Sequence, residues 1–123
     1  MNLNQIKQNW NSRGYTFGIF KDPPGQVWAD FVHKTDELVV LAEGEIEIEI
    51  EGKSQRPQIG EEVFIPANAL HTVRNVGRVG NVWYYGYILD ILASFGLFIL
   101  KSLRKLLNSF SLSVSYKKMS ITA

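Results

Sequence analysis

The chain has 123 residues, 46% hydrophobic and 20% charged, the balance of one globular domain rather than of a disordered chain. It contains no Cys, which excludes disulfides, thiolate metal sites and a Cys nucleophile; a reducing, cytoplasmic setting is expected. The net charge of +1 gives no overall pull toward nucleic acid or anionic membrane, so no nucleic-acid partner is expected. The opening MNLNQIKQNW is polar and has no apolar run of signal-peptide length.

In chain order, Leu3, Ile6 and Trp10 have the spacing of a short lead-in helix. Short Val-, Ile- and aromatic-rich runs follow, at 16–20, 27–33, 38–41, 45–51, 62–65, 71–75 and 82–87, separated by turn residues such as Asp22-Pro23-Pro24-Gly25 and Glu51-Gly52-Lys53. The run EIEIEIE at 45–51 alternates strictly, which puts Ile46, Ile48 and Ile50 on one face and the glutamates on the other. An acidic site is one reading of those glutamates; a solvated outer face that discourages edge pairing is the better one. Many short strands at regular spacing predict a small antiparallel barrel or sandwich over 1–87.

The only two histidines are His33 and His71. A hairpin of three turn residues (Lys34, Thr35, Asp36) would set His33 and Glu37 near each other across a ladder. His71 opens a later strand after the turn Pro66-Ala67-Asn68-Ala69. If the sheet closes, the three side chains can meet inside it. Two imidazoles and one carboxylate suit Zn, Fe, Mn, Ni or Cu and leave coordination positions open. A carboxylate facing an apolar interior costs several kcal/mol unless paired, and a cation would supply the partner. The alternative is that Glu37 faces water or meets Arg56 or Arg74.

Residues 25–44 and 60–75 resemble the two motifs of the cupin superfamily. Gly25, His33, Glu37 and Gly44 fall on the first motif, Gly–x5–His–x–His–x3–Glu–x6–Gly. Gly60, Pro66, His71 and Asn75 fall on the second, Gly–x5–Pro–x–Gly–x2–His–x3–Asn. The resemblance implies a cupin-type β-barrel (a jelly roll, or double-stranded β-helix) like that of the small single-domain type-2 cupins, covering about 14–87. It implies His33, Glu37 and His71 as ligands of a divalent metal. Two positions depart from the pattern. Asn68 replaces a Gly, and Asn still tolerates a left-handed turn. Phe31 replaces the first His of His-x-His and removes one of four usual ligands. Asp30 could replace it only if a bulge reverses the strand alternation. Either a three-ligand site binds metal more weakly, or Phe31 packs on an organic ligand in a metal-free pocket. Phe31 and His33 share the inner face. Trp28, Trp83, Tyr85 and Tyr87 line a mouth or a dimer face, or simply pack in the core, which is the plainer reading.

The chain then changes character. Residues 1–87 carry eight Lys/Arg and eleven Asp/Glu, net −3, whereas 88–123 carry five Lys/Arg and one acid, net +4. Apolar residues at 88, 91, 92, 95, 99, 103, 106, 107 and 110 trace a helical stripe, and the apolar stretch 91–100 is too short to span a bilayer. This predicted α-helical extension packs on the barrel or on a second copy, giving a homodimer. Contact with a membrane surface through 88–110 is a lesser alternative, and an unselected extension a third. The expected function is a metal-binding barrel that holds a small polar molecule and acts by Lewis-acid polarisation or by activating water or O₂. A non-catalytic binding or sensing module without metal is the rival, and a scaffold assembled through the helix is another. Whether the barrel is an enzyme is left open, because the superfamily hosts many chemistries.

Overall fold

The computed structural model describes residues 2–88. Helix α1 (Leu3–Ser12) is followed by eight strands: β1 (Gly18–Asp22), β2 (Val27–Phe31), β3 (Glu37–Glu43), β4 (Glu47–Ile50), β5 (Lys53–Gln55), β6 (Glu62–Ile65), β7 (His71–Arg74) and β8 (Asn81–Tyr87). They form two four-stranded antiparallel sheets, ordered β1-β8-β3-β6 and β2-β7-β4-β5. The expected all-β architecture is present as these two sheets. The expected helical extension over 88–123 lies, beyond Ile88, outside the described residues. Among the described residues no helix is long and apolar enough to cross a membrane.

One core joins the inner faces of the two sheets. Val39, Leu41, Val63 and Ile65 from the first meet Ile48 and Val73 on the second and Ile46 just before β4, all buried. The alternation of 45–51 is realised: Ile46 and Ile48 are buried and Ile50 packs against the same cluster. On the opposite face Glu47 pairs with Arg74 at 3.2 Å and Arg56 at 3.1 Å, and Glu49 pairs with Arg74 at 3.0 Å. The first sheet is covered on its outer face too. Leu3, Ile6 and Trp10 of α1 recur on one side of the helix and pack on Leu38, Val40 and Tyr84. Asn2 caps the helix by accepting the Gln5 N–H. Arg13 and Trp10 both donate to Glu62, which ties the helix end to β6. Strand β3 is therefore buried on both sides, which is why it reads as a continuous apolar run rather than an alternating one.

Strand β5 was not legible in the sequence, because its three residues are polar and exposed. Its turn was. Ile50 pairs with Lys53 across the two-residue loop Glu51-Gly52, and both loop residues have positive φ, +49° and +80°. That is the conformation that matches the twist of a tight hairpin. Glu51, a non-glycine in this conformation, is held by Leu70, which accepts the Glu51 N–H and donates its own N–H to the Glu51 carboxylate.

Candidate metal centre

The site is assembled from three places. Glu37 opens β3 in the first sheet, His71 opens β7 in the second, and His33 lies just beyond β2 on the way from one sheet to the other. The expected hairpin is therefore absent: β2 pairs with β7 and β3 pairs with β6 and β8. His33 and Glu37 approach because the chain crosses between sheets within four residues, not because they are ladder partners. Backbone contacts fix that crossing. Asn68 N–H donates to the His33 carbonyl at 2.6 Å, Ala67 N–H to Asp36 Oδ1 at 2.8 Å, and Ile88 N–H to the Asp36 carbonyl at 3.1 Å. The turn that carries His71 is thereby tied to the loop that carries His33 and Glu37. Asn68 makes that turn with φ +66°, so it serves in the place where the motif has Gly.

Phe31 does point inward. It pairs with His71 across β2–β7, and its ring stacks on His33 with centroids 5.8 Å apart. A register shift lies between Trp28 and Phe31, and Asp30 within it has φ +58°. The shift brings both Trp28 and Phe31 to the inner side, whereas Asp30 stays exposed, its N–H donating to Thr72 Oγ1 at 3.0 Å. A bulge is thus present without recruiting Asp30 as a ligand. Arg56 and Arg74 pair with Glu47 and Glu49, so neither is the partner of Glu37.

His33, Glu37 and His71 are 6%, 3% and 4% exposed, and their donor atoms all lie within 4.8 Å of one another. Glu37 Oε1 is 3.4 Å from His71 Nε2 and 3.7 Å from His33 Nε2, and it makes no aligned hydrogen bond. His71 Nδ1 lies 2.9 Å from the Ala69 carbonyl. A carbonyl only accepts, so Nδ1 carries the proton and, in a neutral ring, the Nε2 lone pair is turned on Glu37. Two electron-pair donors facing each other in a dry interior require a cation between them, either a proton or a metal. The protein environment shows the same demand. Burial pushes the Glu37 carboxyl above its ordinary range, against the opposing pull of His71. Burial works against charge on His71, but the neighbouring Glu37 and the Ala69 carbonyl outweigh it and raise its pKa. Both groups hold a proton more tightly than they do in water. Two imidazoles and one carboxylate, with the Ala69 carbonyl orienting the His71 ring, make a donor set that fits a divalent transition metal.

The three groups form the polar end of a small cavity of about 30 Å³. That is room for about two water molecules. Tyr87 stands at the same end, with its hydroxyl 3.5 Å from His33 Nε2. The rest of the lining is Phe20, Trp28, Phe31, Val73 and Trp83. Both indole N–H groups donate to one atom, Asp22 Oδ2, at 3.0 Å from Trp28 and 2.9 Å from Trp83. This buried carboxylate sets the two largest walls of the cavity. Neither Asp22 in this role nor Tyr87 as a polar neighbour of His33 was found from the sequence. Alternation placed Tyr87 on an inner or mouth-lining strand, but nothing in the spacing aligned it with Glu37. The second-motif Asn75 is not a ligand. Its side chain closes the β1–β2 turn onto the loop before β8, donating to the carbonyls of Pro23 at 3.1 Å and Val79 at 3.0 Å.

The sequence model of the cupin domain matches residues 18–85, more than half of the chain, and the chain belongs to the cupin family. The structure is similar to that of an oxalate oxidase in complex with the substrate analogue glycolate, with TM-score 0.55 and 21% identity, covering 62% of this chain and 42% of that one. A cupin 2 conserved barrel domain protein from Salinispora arenicola gives TM-score 0.56 and 18% identity over 62% of this chain and 64% of that one. A predicted oxalate decarboxylase from Thermotoga maritima gives TM-score 0.56 and 21% identity over 68% and 73%. This chain thus spans less than half of the oxalate oxidase. At these identities the likeness is one of fold. No curated protein matches the sequence.

Proposed function

We propose that this chain is a metal-binding cupin that holds one divalent ion through His33, Glu37 and His71 and receives a small polar molecule beside it. The observation that carries this reading is the facing pair of Glu37 Oε1 and His71 Nε2, 3.4 Å apart and buried, with the His71 proton committed to Ala69. When bound, the ion would supply Lewis acidity to a ligand in its remaining positions. Glu37 offsets part of the ion's charge, and His71 is oriented by the Ala69 carbonyl. The aromatic wall set by Asp22 leaves space for only a few non-hydrogen atoms. The fold neighbours named for oxalate chemistry make a small acid a reasonable first ligand to try, but the reaction itself does not follow from the fold.

Metal per chain, measured after purification without chelator, tests the reading. About one ion in the wild type and far less in His71→Ala is the expected result; little metal in both, or the same amount in both, overturns it. One observation favours a second reading. Phe31 stands where a ligand is expected and extends the aromatic wall, as a metal-free pocket for a small organic molecule would require. Thermal stabilisation by small acids or sugars in the presence of chelator would support that alternative.

A further inference from the structure

The cavity is lined by a fourth residue with a donor atom, an oxygen. Trp28 and Trp83 also line it, but their N–H groups donate to Asp22, which does not. Tyr87 is different. It sits directly opposite Glu37 in the β3–β8 pairing, so both side chains leave the first sheet on the cavity side. Its ring meets His33 edge-on, with centroids 5.1 Å apart, and its hydroxyl reaches to 3.5 Å from His33 Nε2. It is only 3% exposed.

The separations are those of neighbouring ligands on one ion. Donors held about 2.0–2.1 Å from a tetrahedral metal stand about 3.3–3.4 Å apart. Glu37 Oε1 is 3.4 Å from His71 Nε2 and 3.7 Å from His33 Nε2, and Tyr87 Oη is 3.5 Å from His33 Nε2. Toward His33, the tyrosine oxygen meets this spacing as the carboxylate does. Phe31 has no donor atom, so the three-residue set supplies one ligand fewer than the motif, and a fourth protein ligand would leave a small molecule an expanded, five-coordinate position.

We propose that Tyr87 is the fourth ligand of the site, its phenol oxygen taking the part that Phe31 cannot play. The proposal rests on the reading that His33, Glu37 and His71 hold an ion. On ligation the phenolic O–H bond breaks, the oxygen keeps the electron pair and donates it to the metal, and the proton passes to solvent; nothing is oxidised or reduced. A phenolate is a hard oxygen donor and tilts the site toward iron relative to an all-imidazole set.

The test loads the full chain with ferric iron and reads iron per chain together with visible absorption. The wild type should bind about one iron and show a phenolate-to-iron charge-transfer band. Tyr87→Phe keeps the ring; it should still bind iron but lose the band, and a competing chelator should strip it about 10-fold more readily. Tyr85→Phe should keep the band. Iron bound by the wild type without a band, or a band that survives Tyr87→Phe, overturns the role of Tyr87 and leaves the three-residue site standing. Failure of the wild type to bind iron or zinc above the level of His71→Ala overturns both. Should Tyr87→Phe not fold, tyrosinate modes in the resonance Raman spectrum of the iron-loaded wild type decide, their presence supporting the proposal and their absence sinking it.

Discussion

Glu37 and Glu47 are ten residues apart, each begins a strand, and the two meet opposite electrostatic conditions. Glu47 lies on the outer face of the second sheet between Arg74 and Arg56, at 3.2 and 3.1 Å. Water, salt and flexible side chains share its charge, so such pairs add little stability. Glu37 is buried, has two imidazoles beside it and no aligned hydrogen bond on Oε1. The difference teaches that burial without an aligned hydrogen bond, rather than acidity, sets the candidate site's carboxylate apart from its surface counterpart. The strand richest in glutamate is structural, and the single glutamate at the crossing between sheets carries the chemistry proposed above.

The sharpest way to break the contrast is substitution at the inner carboxylate. Glu37→Gln should abolish stoichiometric metal uptake, while Glu47→Gln leaves it unchanged; element analysis of the two proteins side by side checks this. If Glu37→Gln binds metal as the wild type does, the inner site is not a metal centre.

Asp22 gives the next largest effect. It too is a buried carboxylate, but its Oδ2 accepts from two indoles. Asp22→Ala would leave two donors without their acceptor, at a cost of about 1–3 kcal/mol for each that stays buried. Urea denaturation should show the loss, and tryptophan fluorescence should report the changed setting of Trp28 and Trp83. An unchanged midpoint would mean that the clamp contributes nothing.

The third test uses pH. Glu37 and His71 both have raised pKa values in the folded state. A group whose folded pKa exceeds its unfolded value stabilises the fold below the unfolded pKa, and that stability is lost as pH rises through the folded pKa. The metal-free protein should therefore be most stable in acid relative to its own behaviour at higher pH. The decline should begin above about 4.3, the unfolded value of Glu, and continue beyond about 6.5, that of His. Glu37→Gln should flatten this profile, and saturating divalent metal should reverse its slope, because the ion displaces the protons. Thermal melts in chelator and with metal supply the comparison; a wild-type profile indistinguishable from Glu37→Gln would remove the buried pair as its source.

The smallest effect is expected on the outer face. Arg74→Ala removes the ion pairs that β7 makes with Glu47 and Glu49 of the neighbouring β4 but should change stability by only about 0.2–1 kcal/mol per exposed pair, less at high salt. A larger loss, insensitive to salt, would show that the outer network is not a screened surface feature.

Much of this was legible because it depends on local chemistry. Pro24-Gly25, Glu51-Gly52 and Asn68 demand particular backbone angles, and Gly25, Glu51, Gly52 and Asn68 all take positive φ. The isoleucines at 46 and 48 are inside because a strand alternates. The spacing of His33, Glu37 and His71 within the two motifs pointed to residues that do come together. The hairpin expected between His33 and Glu37 was wrong for a reason of topology: a short loop can reverse a strand within a sheet or carry it to the facing sheet, and three turn residues do not say which. The inward turn of Trp28 needed the bulge before Phe31, which no alternation rule foresees. Strand β5 has no apolar residue to reveal it.

The amino-acid order by itself determined the β character, the turns, the buried faces and the three side-chain types of the candidate site, since each follows from backbone angles, alternation or side-chain chemistry within a short window. Only the tertiary structure decided which sheet each strand joined, that Ala69 sets the His71 proton, that Asp22 holds two indoles, and that Tyr87 stands across from Glu37. Those facts depend on cross-strand register and on contacts between residues as far apart as Gly18 and Tyr85, where the chain carries no local signal of its neighbours.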